Sequence, residues 1–336
     1  MDIFTIAVGG ANCGTSPVMP YIGRRIDGAE AIEHAKLLTE AALLRCGFDI
    51  ADLPTPTESQ DAIGHIFRHR ADAAIILSLA AFGSRRTFND VSGCVTRCSP
   101  GRFYPASRVL CEDICAKLGL IKRCTTCSDG GLSGANCATC IVDMGYMTCF
   151  DDMKLACDPD YATAIAEHIA IGVCENFAVP YIPRDDLSAY PVTGGSGIGQ
   201  RGRKVKAVQI LLSACGYRLE ADGIFGKNTD LAVKTFCANN GIPDKLDEEF
   251  FSRMIGTARR SFSVGSRSAD AEYANRKLRA KLYDASQGAE FTAASLDALN
   301  ALLEDCGKAP VSPNSEIDIK TIPELTEIGG GKPRLF

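Results

Sequence analysis

Sixteen cysteines and four histidines bound the chemistry open to this 336-residue chain. Ten of the cysteines fall between Cys94 and Cys157. Cys124, Cys127, Cys137 and Cys140 give C-x2-C-x9-C-x2-C, a spacing that suits four thiolates around a structural zinc ion. The competing reading puts Cys140 inside a strand and treats these thiols as small buried apolar groups. The histidines are His34, His65, His69 and His168. His65 and His69 are i, i+4 on a helix, a metal-compatible spacing, yet they stand beside Arg68 and Arg70 on what reads as a solvated face. So few imidazoles leave little room for histidine-based catalysis.

The elements that must position these groups are legible from periodicity. Strand candidates are Ile3–Val8, Phe48–Ile50, Ala73–Leu79 and Thr139–Val142. Helix-period segments lie at 27–46, 59–70, 105–119 and 160–176. Strands separated by helices of this length predict an α/β layer with a mainly parallel, twisted sheet flanked by helices over residues 1–177. Ala73–Leu79 is apolar on both faces, as a central covered strand should be. A Pro- and Gly-rich stretch, 178–203, reads as a linker. Residues 204–256 read as a small all-α unit. A helical arm and extended tail follow over 257–336, with LRAKLYDA and AASLDALNALLEDCG as helical patterns and the second closed by a glycine C-cap signal.

Within the all-α unit, Val205, Val208 and Leu212 share one helix face. Asp222-Gly223 makes a turn, Phe225 plugs the core, and Asn228-Thr229 is placed to cap the next helix, which carries Ala232, Val233 and Phe236. The pattern V-x-x-V-Q-x-x-L, G-Y, D-G-x-F-G-x-x-T-x-x-A-V-x-x-F resembles the peptidoglycan-binding three-helix module of bacterial and phage cell-wall hydrolases. Cys237 departs from it, because the family usually has glutamine there. The resemblance implies peptidoglycan as partner, with Tyr217, Asp222, Gly223, Phe225, Gly226 and Thr229 as its binding-motif residues.

Residues 141–177 (IVDMGYMTCFDDMKLACDPDYATAIAEHIAIGVCENF) resemble the C-terminal part of the zinc-dependent N-acetylmuramoyl-L-alanine amidases. There, a strand ending L-V-E-x-G-F-x-S/T-N precedes an acidic loop, D-P-x-Y and a helix. Upstream, Gly10 to Pro17 sits where the family has P-G-H-G-G-x-D-P, and ADAAIILSLAAF (71–82) where it has A-D-x-x-I-S-I-H-A-N. In that family His, Glu and His hold zinc with an open position for water, and a glutamate at the end of the late strand acts as general base. The bond split joins the muramic lactyl group to the stem-peptide L-alanine.

Transferred position by position, the resemblance leaves the metal site incomplete. The first histidine position holds Asn12, the glutamate position falls on Asp27 or Glu30, and the second histidine position holds Ala80. The catalytic glutamate position holds Asp143, one methylene shorter. No metal is expected at this site. No cofactor is expected overall, and zinc enters only through the four-cysteine spacing. The expected function is that of a cell-wall-associated, catalytically impaired amidase homologue acting as a binding or assembly part. The alternatives are an active amidase with a remodelled site, and a scaffold in a phage-related assembly docked through the C-terminal arm.

Charge and hydropathy narrow the partners. The net charge of −5 gives no basic excess for nucleic acid. No run approaches the ~18 apolar residues of a bilayer span. The opening MDIFTIAVGG lacks a basic n-region and a long apolar core. The expectation is therefore synthesis in the cytoplasm without a signal peptide, and action at the cell wall or in a phage-related particle.

Overall fold

The computed structural model describes residues 3–318 apart from 12, 20–24, 54–58, 129–131, 185, 187, 189, 191–196, 216, 218, 256–260, 266–268, 289, 314 and 316. Two compact units emerge, the first built from residues 1–18, 25–156 and 160–184, the second mainly from 185–336.

The first unit is a six-stranded mixed sheet flanked by helices. Its strands are β1 (Thr5–Gly10), β2 (Asp49–Asp52), β3 (Ala73–Ala80), β4 (Cys94–Cys98), β5 (Cys124–Cys127) and β6 (Ala138–Tyr146). They lie in the order β2-β1-β3-β6-β4-β5. The first four in that order run parallel, as the alternating strand–helix pattern predicts. β3 and β6 are buried along almost their whole length, in keeping with their apolar runs.

Its helices are α1 (Gly28–Arg45), α2 (Ser59–His69), α3 (Tyr104–Leu118), α4 (Phe150–Ala156) and α5 (Pro159–Asn176). α1 and α3 pack on the sheet. α5 crosses α3 at Gly172, where an added Cβ would lie 2.7 Å from Ile114 Cα and 2.9 Å from its N.

β4 and β5 are not in the sequence expectation. They pair parallel with each other, and β4 pairs antiparallel with β6, Cys98 opposite Cys140. Both are four or five residues long and read CVTRC and CTTC. Short, half-polar runs carry no apolar signal of their own, and β-branched Val and Thr form a strand there only because β6 offers an edge.

The second unit holds α6 (Arg203–Ala214), α7 (Lys227–Asn240), α8 (Glu248–Ile255), α9 (Ala269–Ala280) and α10 (Ala293–Asp305). Val205, Val208 and Leu212 are buried, and Phe225 is 1% exposed, as their spacing predicts. Phe236 meets Phe250 edge-on at 5.3 Å, and Phe250 meets Phe251 at 5.0 Å. Tyr190, from the stretch read as linker, stacks on Phe251 at 5.3 Å and is buried with it.

Two local expectations are corrected. α7 starts at Lys227 behind an extended Gly226, so Thr229 falls inside the first turn and is buried instead of capping the helix. The LRAKLYDA pattern stops being helical at Ala280, and Leu282 takes a φ of 71°. α10 does end as expected, with Cys306 at the cap and Gly307 at φ 68°. Most of the expected extended tail, 319–336, lies outside the described residues. Among the described residues no helix is long and apolar enough to cross a membrane.

Candidate functional site

The C-terminal ends of β1, β3 and β6 converge because these strands are parallel neighbours. Such strand ends are where parallel α/β sheets carry their sites. Register places Ser78 of β3 beside Asp143 of β6, and after an irregularity Ala80 pairs with Tyr146. Asp143 is 1% exposed. Its Oδ1 accepts from Arg97 Nη2 at 3.0 Å, and its Oδ2 lies 2.7 Å from Arg97 Nε in ion-pair contact. Arg97 is two residues along β4 from Val95, the cross-strand partner of Asp143, so the pair is diagonal on one face of the sheet.

Cys13 completes the cluster. Its Sγ lies 3.5 Å from Ser78 Oγ and accepts from the Leu79 N–H at 3.1 Å. Burial pushes this thiol up from its ordinary range, although Ser78 and Leu79 act the other way. Arg85 donates to the Cys13 carbonyl at 2.6 Å. Arg25 donates to the Ser16 carbonyl of the same loop at 3.2 Å.

The remaining resemblance positions divide. Asp27 is the N-cap of α1 and accepts from the Ala29 N–H at 2.9 Å, a helix-capping role. Ala80 ends β3 and has no donor atom in its side chain. Asn12 and the side chain of Glu30 lie outside the described residues. Sequence reasoning missed Arg97 and Cys13. Arg97 had no local signal, because its partner lies 46 residues away.

The four-cysteine arrangement is not assembled. Cys140 is fully buried facing Cys111 of α3, whereas Cys137 belongs to the core formed with Ala7, Ile76 and Ile141 on the α2 side. Cys124 and Cys127 are three apart on one strand and so point to opposite faces. Among the described residues no group of three or more His, Cys, Asp or Glu side chains is placed to hold a metal ion. His65 and His69 stack on each other along α2, with ring centroids 6.2 Å apart.

In the second unit, Gln209 is the organising residue, 1% exposed on α6. Its Nε2 donates to Asp222 Oδ1 at 2.8 Å, to Thr229 Oγ1 at 3.0 Å and to the Ile224 carbonyl at 3.1 Å. Its Oε1 accepts from the Gly223 N–H at 2.8 Å. Gly223 sits at φ 71°, which lets the Asp222–Ile224 turn close over the amide. Asp222, Gly223 and Thr229 are thus ordered by one side chain, and Phe225 is core.

Beside this turn lies a groove of about 990 Å³ lined by Tyr217, Asp222, Gly226, Asn228, Thr229 and Asn239 among others. Asn239 donates to the Tyr217 hydroxyl at 2.9 Å. The lining also includes Gln287, Gly288 and Glu290, from the connection between α9 and α10. Asn275 of α9 fixes that connection by donating to the Gly288 and Glu290 carbonyls at 3.0 and 2.8 Å. Four of the six expected binding-motif residues reach the groove, while Gly223 and Phe225 act beneath it.

The fold therefore defines a helix-flanked mixed-sheet α/β unit followed by a helical domain. Residues 201–254 match the family described as "Putative peptidoglycan binding domain". No curated protein matches the chain. Among solved structures it is similar to N-acetylmuramoyl-L-alanine amidase AmiC2 of Nostoc punctiforme, with 18% identity over 52% of this chain and 97% of that one, TM-score 0.44. It is also similar to the N-acetylmuramoyl-L-alanine amidase from Clostridium difficile 630, at 15% identity over 53% and 98%, TM-score 0.46. The catalytic domain of CwlV from Bacillus (Paenibacillus) polymyxa var. colistinus matches at 13% identity over 53% and 100%, TM-score 0.44.

Proposed function

We propose that this chain is a peptidoglycan-associated protein whose amidase-like unit has lost its zinc chemistry and serves as a binding or assembly part. Wall contact falls to the helical domain. The match of residues 201–254 to the peptidoglycan-binding description supports the partner.

The observation that carries the loss of chemistry is the Arg97–Asp143 pair. A general base must offer a carboxylate oxygen to the attacking water. Asp143 is held by a permanently charged guanidinium, with one hydrogen bond to Oδ1 and an ion-pair contact at Oδ2. A dication beside that carboxylate would also meet the guanidinium's charge, and like charges at close range repel. The donor set does not suit zinc either. Ala80 offers no ligand, Asp27, one of the two candidates with Glu30 for the glutamate position, is engaged as a helix cap, and an asparagine amide such as that of Asn12 is a poor replacement for imidazole.

The test uses the purified full chain with isolated sacculi. Expected are no stoichiometric zinc, no released stem peptide, and retention on sacculi that drops when residues 204–256 are deleted. Stoichiometric zinc that disappears on substituting a histidine, together with stem-peptide release, would establish an active amidase instead. Unchanged retention after the deletion would remove the helical domain from wall binding.

A further inference from the structure

The peptidoglycan-binding match ends at residue 254, but the groove beside Asp222 draws on chain well beyond it. The matched helices and their connections supply Tyr217, Asn228 and Asn239, and Leu231 of α7, 65% exposed, adds apolar surface. Gln287, Gly288 and Glu290 supply the remainder from the connection between α9 and α10.

Local packing fixes where these three residues stand. Phe291 is fully buried in the core that α9 shares with α10, with Ala274, Leu278 and Leu299. Asn275, also fully buried, holds the Gly288 and Glu290 carbonyls through Nδ2 at 3.0 and 2.8 Å. Arg279 donates to the Ser286 carbonyl, and the Ser286 N–H donates to Ser295 Oγ at 3.3 Å. Thr292 and Ser295 then close the start of α10 as a reciprocal capping box. Arg276 of α9 donates to the Ala214 carbonyl at the C-terminal end of α6, where the helix dipole favours a cation. The connection is thus pinned by its backbone and tied to the matched domain, while the Gln287 and Glu290 side chains stand exposed.

From this arrangement we infer that the α9–α10 connection is part of the ligand site, with Gln287 and Glu290 contacting a muropeptide, the sugar-plus-stem-peptide unit of peptidoglycan. The inference rests on the peptidoglycan reading of the helical domain and adds two contact residues outside the matched segment. A muropeptide presents hydroxyls, acetamido groups and peptide amides. The Gln287 amide can both donate to and accept from such groups, and the Glu290 carboxylate accepts from hydroxyl and N–H donors. Tyr217 and Leu231 offer apolar surface to the C–H faces of a sugar ring. A concave site with apolar surface and a few placed polar groups is the usual form for a ligand of this size. Because the backbone of the connection is already ordered, little further freedom is lost when the ligand binds.

The test titrates the purified full chain with soluble muropeptides released from sacculi by a muramidase, and reads Kd by calorimetry. Gln287→Ala combined with Glu290→Ala should raise Kd about tenfold, the equivalent of one lost hydrogen bond, with Tm within a few degrees of the wild type. In the wild type, added muropeptide should slow amide hydrogen exchange over 286–291 as well as over 217–239. Wild-type affinity in the double variant overturns the inference. If Asn228→Ala binds more weakly in the same experiment, the peptidoglycan reading stands and the groove belongs to the matched segment alone. A wild-type chain that binds no muropeptide overturns both. Exchange protection confined to 217–239 also removes the connection from the site, and that measurement needs no variant to fold.

Discussion

The Arg97 guanidinium grips the Asp143 carboxylate at two points, 2.7 and 3.0 Å, across neighbouring antiparallel strands, with Asp143 1% exposed. The position the amidase resemblance gives to a proton-transferring carboxylate is thereby occupied by a structural ion pair. Arg97→Ala leaves that buried carboxylate without its cation. It should cost about 3 kcal/mol, measured by urea unfolding, because an uncompensated buried charge is far worse than the pair. Replacing both partners, as Arg97→Met with Asp143→Leu, should recover most of the loss. If both single and double variants unfold like the wild type, the pair is not holding β4 to β6.

Glu40 of α1 predicts a pH dependence. It is 2% exposed, and its cation, Lys36 at 3.1 Å, is shared with Asp52 at 2.6 Å. Burial pushes its carboxyl up to about 8. The folded chain then keeps a proton that the unfolded chain releases near its ordinary value of 4.5. This contribution is complete below about pH 4.5 and is lost as the pH rises toward 8. Over that window it should amount to about 5 kcal/mol. Denaturant titrations across the window should show the fall, and Glu40→Gln should flatten it. A Glu40→Gln profile that parallels the wild type would refute the assignment.

Gln209→Leu should destabilise the second unit by about 2–4 kcal/mol, since it removes the partner of the buried Gly223 N–H and Thr229 hydroxyl at once. Thermal unfolding reads the cost. Sacculus retention should fall with it, because Asp222 and Thr229 lose the side chain that orders them.

Asn228 and Asn239 separate binding from folding. Both line the groove, and neither is part of the buried aromatic cluster of this domain. Alanine at either should weaken sacculus retention by about tenfold, the equivalent of one lost hydrogen bond, while Tm stays within a few degrees. Retention unchanged in both would move the wall contact out of this groove.

Gly172→Ala tests the α3–α5 crossing. The new methyl would meet the backbone of Ile114 at 2.7 Å, and backbone cannot move aside as a side-chain end does. A loss of about 1–3 kcal/mol is expected from denaturant unfolding. Wild-type stability in this variant would mean that the helices part at no cost.

Local pattern carried far. The 2.0 and 3.6 periods of the sequence are enough for β1, β3, β6, α1, α2, α3 and α5, and for the Val205/Val208/Leu212 face and the buried Phe225. In each of these the residues that define the element are close in sequence, so burial leaves a periodic trace. The site was less legible. The resemblance sets Ala80 at a ligand position and Asp143 at the catalytic glutamate position, and both can be read from the chain, but what surrounds Asp143 cannot. Whether Asp143 is free depends on β4 inserting antiparallel between β6 and β5, which brings Arg97 from 46 residues away. The cysteine spacing likewise pointed to Cys124 with Cys127, whereas strand alternation parts those two. Composition and periodicity are properties of neighbours along the chain. Which charges and thiols meet is fixed by the register between elements, and only the tertiary structure decides that.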